Sequence, residues 1–475
     1  MLESAITQNN TRKRVIASWK TNTGFRKKLY MVTPDAKRAR SPSPHKKDQK
    51  RRRLVSSTGS LSYELLEEEK RARSAIVTLP HGEVHTPVFM PVGTYGAMKG
   101  VSSHDLEQLG PRIILANTYH VGNRPGAEFL DSVDGLHKFM RWNGNMLTDS
   151  GGFQMVSLAK LLSLSEEGVE FESPVDKSKM LLTPELSMKI QNSIGADIMM
   201  VLDDVVSSTC DDRDRMKEAT ERTIRWLDRC NKAHQKPGEQ NLFAIVQGGL
   251  DPELREWSLT ETISRDNPGF AIGGLSGGES KGQFWRVVSQ CTKRLPELKP
   301  RYVMGVGYPL DIICCISLGA DMFDCVYPTR TARFGTALVP QGQMRLAHSS
   351  FKSDVRVIDP TCLCRGCSKL KISRAYLNPI AGKEPLAARI ITEHNIVYML
   401  TLMRNTREAI IEHRFEAFVA LFLLTMFPKN TNVRPPMWVR ECLVDGAGMK
   451  SIDTLYDWKS ANIKEGDDNP RVVNI

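Results

Sequence analysis

Cysteine is scarce: ten in 475 residues, too few for a disulfide-stapled scaffold. Three of the ten crowd together as Cys362, Cys364 and Cys367, a distribution that favours a reducing compartment and one metal site. Long apolar runs are missing too. The richest stretch, Phe415 to Phe427, is 13 residues long and contains Glu416. A membrane-spanning helix needs roughly 20 apolar residues, so this stretch reads as a buried core helix. The first 30 residues lack the apolar core of a secretory signal. Acidic residues are nearly absent at the start, where residues 1–55 hold 16 Lys and Arg against 3 Asp and Glu. The net charge of +11 therefore divides into +13 on that segment and −2 on the remaining 420 residues. The body is near neutral, so the basic balance says nothing about its binding surface.

What remains is ordinary: 41% hydrophobic and 25% charged residues, which excludes a wholly disordered, collagen-like or coiled-coil chain. Residues 1–55 read as a disordered tail with Ser41-Pro42-Ser43-Pro44 and the clusters Lys37-Arg38-Ala39-Arg40 and Lys50-Arg51-Arg52-Arg53. A nuclear-import signal, a nucleic-acid arm and a plain solvated tail all fit such clusters. The acid-free, basic stretch 11–30 also fits a mitochondrial presequence.

From about Ser60 short apolar runs recur: Val88–Val92, Ile113–Ala116, Met146–Leu147, Ile198–Leu202, Leu242–Val246, Phe270–Ile272, Tyr302–Met304 and Met322–Phe323. Several are continuous and β-branched, as buried parallel strands are. Between them lie amphipathic stretches. Met216 to His234 is the clearest, with Ala219, Ile224, Leu227 and Cys230 on one side. Eight such strands with helices between them predict an α/β fold, a (β/α)8 TIM barrel. Asn117, Asp149, Asp203, Asp204, Gln247, Gly273, Gly274, Gly305 and Asp324 fall at or just past the run ends. In a barrel those ends share one mouth, where an active site is built.

Asp149 opens Asp149-Ser150-Gly151-Gly152-Phe153-Gln154, and Asp324 is followed by Arg330 and Arg333. Two carboxyls in one pocket suit chemistry at a glycosidic carbon, one attacking C1′ while the other assists the leaving group. Arginines at the rim suit a phosphate-bearing substrate. Acidic pairs at barrel mouths also bind metals or pair with arginine, and spacing alone leaves those readings open. Cys362-x-Cys364-x2-Cys367 with His394 offers three thiolates and an imidazole, a closed tetrahedral set that predicts structural rather than catalytic zinc. His120, remote in sequence, is a weaker fourth ligand. The other cysteines read as core residues.

The ordered motifs resemble those of the tRNA-guanine transglycosylases, specifically the eukaryotic catalytic subunit of queuine tRNA-ribosyltransferase. They are MPVGT (Met90–Thr94), NTYH (Asn117–His120), RPG (Arg124–Gly126), LTDSGGFQMVSL (Leu147–Leu158), LDDVVSST (Leu202–Thr209), QGGL (Gln247–Leu250), IGGLSGGE (Ile272–Glu279), MGVGYP (Met304–Pro309) and DMFDCVYPTRTARFG (Asp321–Gly335). With the cysteine set they cover about residues 60–427. The resemblance implies exchange of the wobble guanine of tRNAs with G-U-N anticodons (Asp, Asn, His and Tyr acceptors) for queuine. It implies Asp324 as nucleophile, forming a covalent ribosyl ester, and Asp149 as general acid/base oriented by Asn117. Asp203, Gln247, Gly274 and Leu275 would bind the base, Phe153 and Met304 would sandwich it, and Arg330 and Arg333 would read the next nucleotide. No nucleotide cofactor is expected, since one N-glycoside replaces another.

The physics of the residues agrees. A base in an anticodon stack must be splayed out before its C1′ can be attacked. A slot between an aromatic ring and a thioether replaces the lost stacking. A carboxylate selects guanine-like bases through their paired N–H donors. Bacterial members commonly carry cysteine at the position of Val205 and a bulkier apolar residue at that of Gly277. The smaller residue here implies room for the 7-substituent of queuine; a tight turn is the other reason for Gly277.

The resemblance further implies a heterodimer with a paralogous, non-catalytic subunit, a homodimer being the second arrangement. A non-catalytic, tRNA-binding accessory subunit is the rival reading for this chain; it would be expected to lack the two aspartates in their motifs, and both are present. After Ser373-Arg374-Ala375-Tyr376-Leu377 the family usually continues a helix with a histidine pair. Asn378-Pro379 should end that helix, which bears on the partner interface. Cytoplasm is the expected location, with association to mitochondria as a second expectation and the nucleus, from the basic tail, as a third. The expected domains are a disordered basic tail (1–58), the catalytic barrel (59–345), a zinc-binding subdomain with closing helices (346–430) and a poorly ordered C-terminal extension (431–475).

Overall fold

The computed structural model describes residues 54–152, 160–172 and 179–458. It opens with four antiparallel strands in sequential order: β1 (Leu54–Thr58), β2 (Leu61–Glu69), β3 (Ala72–Leu79) and β4 (Gly82–Thr86). Alternation sets the faces of β2, where Leu61, Tyr63 and Leu65 are buried and Ser62 and Glu64 half-exposed. The barrel follows with β5 (Val88–Pro91), β6 (Ile113–Ala116) and β7 (Asn145–Thr148). A small antiparallel sheet interrupts it, made of β8 (Lys160–Leu164), β9 (Val169–Glu172) and β10 (Lys179–Leu182). The barrel resumes with β11 (Ile198–Met200), β12 (Asn241–Val246), β13 (Phe270–Ile272), β14 (Arg301–Val303) and β15 (Met322–Cys325).

These eight strands are parallel and ordered β5-β15-β14-β13-β12-β11-β7-β6. The two ends meet through a parallel bridge, Val92 to Leu115, in which Gly93 N–H donates to Leu115 O at 2.8 Å. Each of the eight apolar runs is a barrel strand. Several strands are buried on both faces, which is why they read as continuous apolar segments.

The helices that matter are α1 (Arg213–Ala233), α2 (Pro252–Ser264), α3 (Lys281–Arg294), α4 (Tyr327–Arg333), α5 (Pro385–Ile411) and α6 (Phe415–Met426). Their starts are chemically marked. The Asp212 side chain accepts from Arg215 N, Asp251 from Glu253 N and Leu254 N, and Ser280 with Gln283 forms a reciprocal cap. The amphipathic pattern of Met216–His234 is α1, which buries Ala219, Ile224, Leu227 and Cys230. The apolar stretch from Phe415 is buried on one face only, with Leu421 left 64% exposed. Among the described residues, no helix is long and apolar enough to cross a membrane.

The first sheet packs at the barrel's amino-terminal floor. Arg73 of β3, fully buried, donates Nε to Asp321 Oδ1 at 2.8 Å and Nη2 to Asp321 Oδ2 at 2.5 Å, just before β15. Arg73 also donates to Glu297 O and Lys299 O. Two histidines meet Asp197 at the same floor: His81 Nδ1 lies 2.7 Å and His137 Nε2 3.3 Å from its carboxylate. Asp197 additionally accepts from Met146 N at 2.7 Å, so protein donors already satisfy it.

Beyond the barrel lies the hairpin β16 (Thr336–Val339) and β17 (Gly342–Arg345). With the cysteine loop and the start of α5 it forms a separate apolar cluster around Phe351, Ile358, Leu377 and Ile391. The short helix Arg374–Leu377 stops at Asn378-Pro379, where Asn378 Nδ2 donates to Leu346 O and His348 O, both at 2.8 Å. The poor order expected of the C-terminal extension needs correction for residues 431–458. Val439, Cys442, Leu443 and Ile452 are buried there in the main core, and Arg286 pairs with Glu441 at 2.8 Å. Its apolar residues are spaced among polar ones, so only the packed chain shows that they share a face.

Candidate active site

The carboxyl ends of the parallel strands bring Asn117, Asp149, Asp203, Gln247, Gly274, Leu275, Met304 and Asp324 to one mouth. Phe153 lies outside the described residues.

Asp149 follows β7 and is buried. Its Oδ1 accepts from Thr118 N at 2.9 Å and Gly151 N at 3.2 Å, and Asn117 Nδ2 donates to Oδ2. Burial pushes its carboxyl up to about 6, against these donors; the negative charge of Asp324 adds to the rise. Asp324 is held differently. Tyr302 Oη donates to its Oδ1 at 2.6 Å and Gly305 N at 2.7 Å. Oδ2 has no hydrogen-bond partner among the described residues. Burial raises this carboxyl, and the Tyr302 and Gly305 donors oppose the rise. The pair therefore comprises one carboxyl poised to carry a proton near neutrality and one with an oxygen free to attack.

Asp203 lies across the mouth. Gln247 Nε2 donates to its Oδ2 at 2.6 Å and Ser150 Oγ to its Oδ1 at 3.4 Å. Burial pushes it up to about 6, opposed by Gln247 and assisted by the neighbouring Asp204. Gly274 has φ +66°, and a Cβ there would stand 2.3 Å from Gln247 Oε1, so only glycine lets this loop close on the carboxamide. Leu275 and Met304 are half-buried and pack on the main core. Gly277 approaches the neighbouring loop: a Cβ there would meet Ser208 Oγ at 2.7 Å. Protein thus fills the space this glycine leaves, and the close approach accounts for it.

Arg330 and Arg333 sit on α4. Arg333 donates to Thr329 O at 3.0 Å, and its guanidinium is pushed down by burial and then by the charge of Arg330. Neither has a carboxylate partner among the described residues, so the pair offers uncompensated positive charge.

Sequence reasoning missed three supporting groups. Tyr302 sits inside a strand and reads as core. Arg255 sits in α2 and reads as a surface cation, yet it is buried and donates to Gly249 O, Val246 O and Gly273 O, each at 2.8 Å. It thereby ties the loops after β12 and β13 together. Glu279 accepts from Ser276 N at 2.6 Å, Gly277 N at 2.9 Å and Ser208 Oγ at 2.7 Å. A carboxylate close behind a glycine pair was the available signal.

Away from the mouth, the ligand atoms of Cys362, Cys364, Cys367 and His394 all lie within 4.8 Å of one another. His394 Nδ1 is 3.6 Å from Cys364 Sγ and 3.5 Å from Cys367 Sγ, while Nε2 donates to Leu338 O at 2.8 Å. That outer bond fixes the tautomer and turns the Nδ1 lone pair toward the sulfurs. The donor set fits a metal ion. His120 is not part of it: that ring packs on Tyr95 and Tyr119.

A (β/α)8 barrel with two buried carboxyls and one half-buried carboxyl at the carboxyl ends of its strands defines a barrel enzyme. A family model described as queuine tRNA-ribosyltransferase matches residues 68–428. The chain is 51% identical over 390 residues to a Schizosaccharomyces pombe protein named queuine tRNA-ribosyltransferase catalytic subunit, covering 81% of this chain and 95% of that one. It is 48% identical over 402 residues to the Caenorhabditis elegans protein of the same name, covering 82% and 99%. It is 45% identical over 377 residues to a Thermus thermophilus queuine tRNA-ribosyltransferase, covering 79% and 96%. The chain belongs to the queuine tRNA-ribosyltransferase family and is a tRNA-guanine transglycosylase.

Proposed function

We propose that this enzyme replaces guanine 34 of G-U-N anticodons with queuine through a covalent ribosyl-aspartate intermediate. Asp324 Oδ2 attacks C1′ of the splayed-out nucleotide. The C1′–N9 bond breaks, its electron pair goes to guanine, and Asp149 supplies the proton. The incoming base then gives its N9 proton to the Asp149 carboxylate and attacks C1′, and Asp324 departs. Two displacements retain the configuration. Asn117 holds the acid/base. Asp203, Gln247, Gly274 and Leu275 bind the base, Met304 and Phe153 flank it, and Arg330 and Arg333 bind the nucleotide after it.

The observation that carries this reading is the unequal treatment of Asp149 and Asp324 at one mouth: Asp149 is buried with both oxygens engaged, while Asp324 is half-buried and keeps a free oxygen. An accessory, non-catalytic chain would have no use for that division. Cys362, Cys364, Cys367 and His394 would hold zinc as a structural cross-link, with no part in the bond exchange. The partner we propose is a paralogous subunit, with a homodimer as the competing assembly, in the cytoplasm.

The test is incorporation of labelled guanine into unmodified tRNA by the purified chain and by Asp324→Ala, each with and without the paralogue. Incorporation that vanishes in the variant supports the covalent reading. Equal incorporation by both would overturn it.

A further inference from the structure

A cleft lies on the flank of the barrel, away from its mouth. It encloses about 700 Å³ beside α5, the helix Ser103–Leu109 and the starts of β5 and β6. Five cations line it: Arg112, Arg365, Lys369, Arg404 and Arg407. Two carboxylates line it as well, Asp105 and Glu393, and Arg389 already engages both, at 2.9 and 3.1 Å. None of the five cations has a carboxylate partner among the described residues. Arg407 donates only to main-chain oxygens, of Pro87 at 2.8 Å and His85 at 3.4 Å. Its guanidinium is pushed down to about 10, by burial first and then by the charge of Arg404.

Like charges gathered in a concave surface with apolar walls reinforce one another's field. Here Val84, Val397 and Met403 supply such walls. Four of the five cations are exposed and Arg407 is half-buried, so together they present an uncompensated positive field to solvent. The lining holds no Phe, Tyr or Trp, so it offers single-stranded bases no stacking platform. What it offers is guanidinium groups, whose planar donor fork matches phosphate oxygens.

We propose that this cleft binds a phosphate ester, supplied by a backbone phosphate of bound RNA or by a free phosphate compound. The RNA source rests on the tRNA reading above; the phosphate chemistry does not. The cleft is separate from Arg330 and Arg333, so substitutions within it leave the mouth intact.

The test uses the full-length chain and two double variants, Arg112→Gln with Arg404→Gln, and Arg365→Gln with Lys369→Gln. All four side chains are exposed, so folding should survive. Thermal unfolding is followed with increasing inorganic phosphate at constant ionic strength, and tRNA affinity is measured against salt. The expected result is a phosphate-dependent rise in Tm that shrinks in both variants. If RNA is the source, the slope of log affinity against log salt also falls, by about 0.7 to 0.9 for each RNA phosphate that the variant no longer neutralises. A lost Tm response with an unchanged slope assigns the cleft to a free phosphate compound. Equal Tm responses in all three proteins, or none in any, overturn the proposal. Failure of the wild-type chain to bind tRNA even with the paralogue added would defeat the tRNA reading alone, because the phosphate titration still decides the cleft.

Discussion

A carboxyl buried beside few donors gives up its proton late, and that has a consequence for stability at Asp203. Burial lifts it from an ordinary 3.8 to about 6. Between those values the native chain holds a proton that the unfolded chain has released, so stability falls as pH rises through the window and stays lower above it. Two pKa units correspond to on the order of 2–3 kcal/mol. Asp203→Asn is therefore expected to unfold at a higher temperature than wild type at pH 7.5, with the gap narrowing toward pH 5, while guanine binding is lost. A gap independent of pH would mean that Asp203 is ionised across the range. Tyr302 makes the opposite contribution, since its phenol stabilises the Asp324 carboxylate. Tyr302→Phe should shift the acid limb of the exchange rate to higher pH and lower kcat roughly tenfold, the worth of about one hydrogen bond. An unchanged pH profile would assign Tyr302 a packing role only. Asp149, Asp203 and Gln247 were legible because strand ends in a barrel converge. Tyr302 and Arg255 were not, because a tyrosine in a strand resembles core and an arginine in a helix resembles surface until burial is known.

Elements carry the next level of specificity. The loops after β12 and β13 hold Gln247, Gly273 and Gly274, and one buried guanidinium from α2 joins them. A lysine in its place brings one ammonium to three carbonyls and leaves some unpaired, at about 1–3 kcal/mol each. Arg255→Lys should raise KM for guanine at least tenfold with little change in tRNA affinity; steady-state exchange against guanine concentration reads this directly. A metal held by Cys362, Cys364, Cys367 and His394 would tie the cysteine loop to α5 in the same way. We expect one zinc per chain by elemental analysis. His394→Ala should lose the metal and speed deuterium uptake around residues 356–397, with the barrel strands unaffected. Metal content unchanged by the substitution would remove His394 from the site. The eight barrel strands were readable as continuous apolar runs. The sheets β1–β4 and β8–β10 were not, because their strands mix polar and apolar residues without a continuous apolar run and pair antiparallel with their sequence neighbours.

At the scale of the molecule the barrel is closed off by chain from both termini. The first sheet seals the floor through Arg73 and Asp321. The last described segment lies against the turn between β2 and β3 and against α6: Arg71 donates to Gly446 O at 3.0 Å and Lys70 to Gly448 O at 2.6 Å, while Ser451 N donates to Glu416 at 2.9 Å. A Cβ on Gly446 would stand 2.9 Å from Trp285, so the segment crosses the face of α3 at close range. Val439, Cys442, Leu443 and Ile452 are fully buried along this path. Each large apolar side chain removed from water contributes roughly 1.5–3 kcal/mol, and a domain has only about 5–15 kcal/mol in total. A chain ending at residue 430 would forfeit most of that margin and expose the apolar faces of α3 and α6. It should be recovered largely as aggregate, or unfold more than 10 °C below the full chain, whereas a chain ending at Trp458 should match the full chain in thermal unfolding and in guanine exchange. Equal stability of the two truncations would show that the barrel stands without this strap. A shorter chain that is stable but inactive would instead place the strap's contribution at the mouth, through α3 and the loop before it that carries Gly274, Gly277 and Glu279.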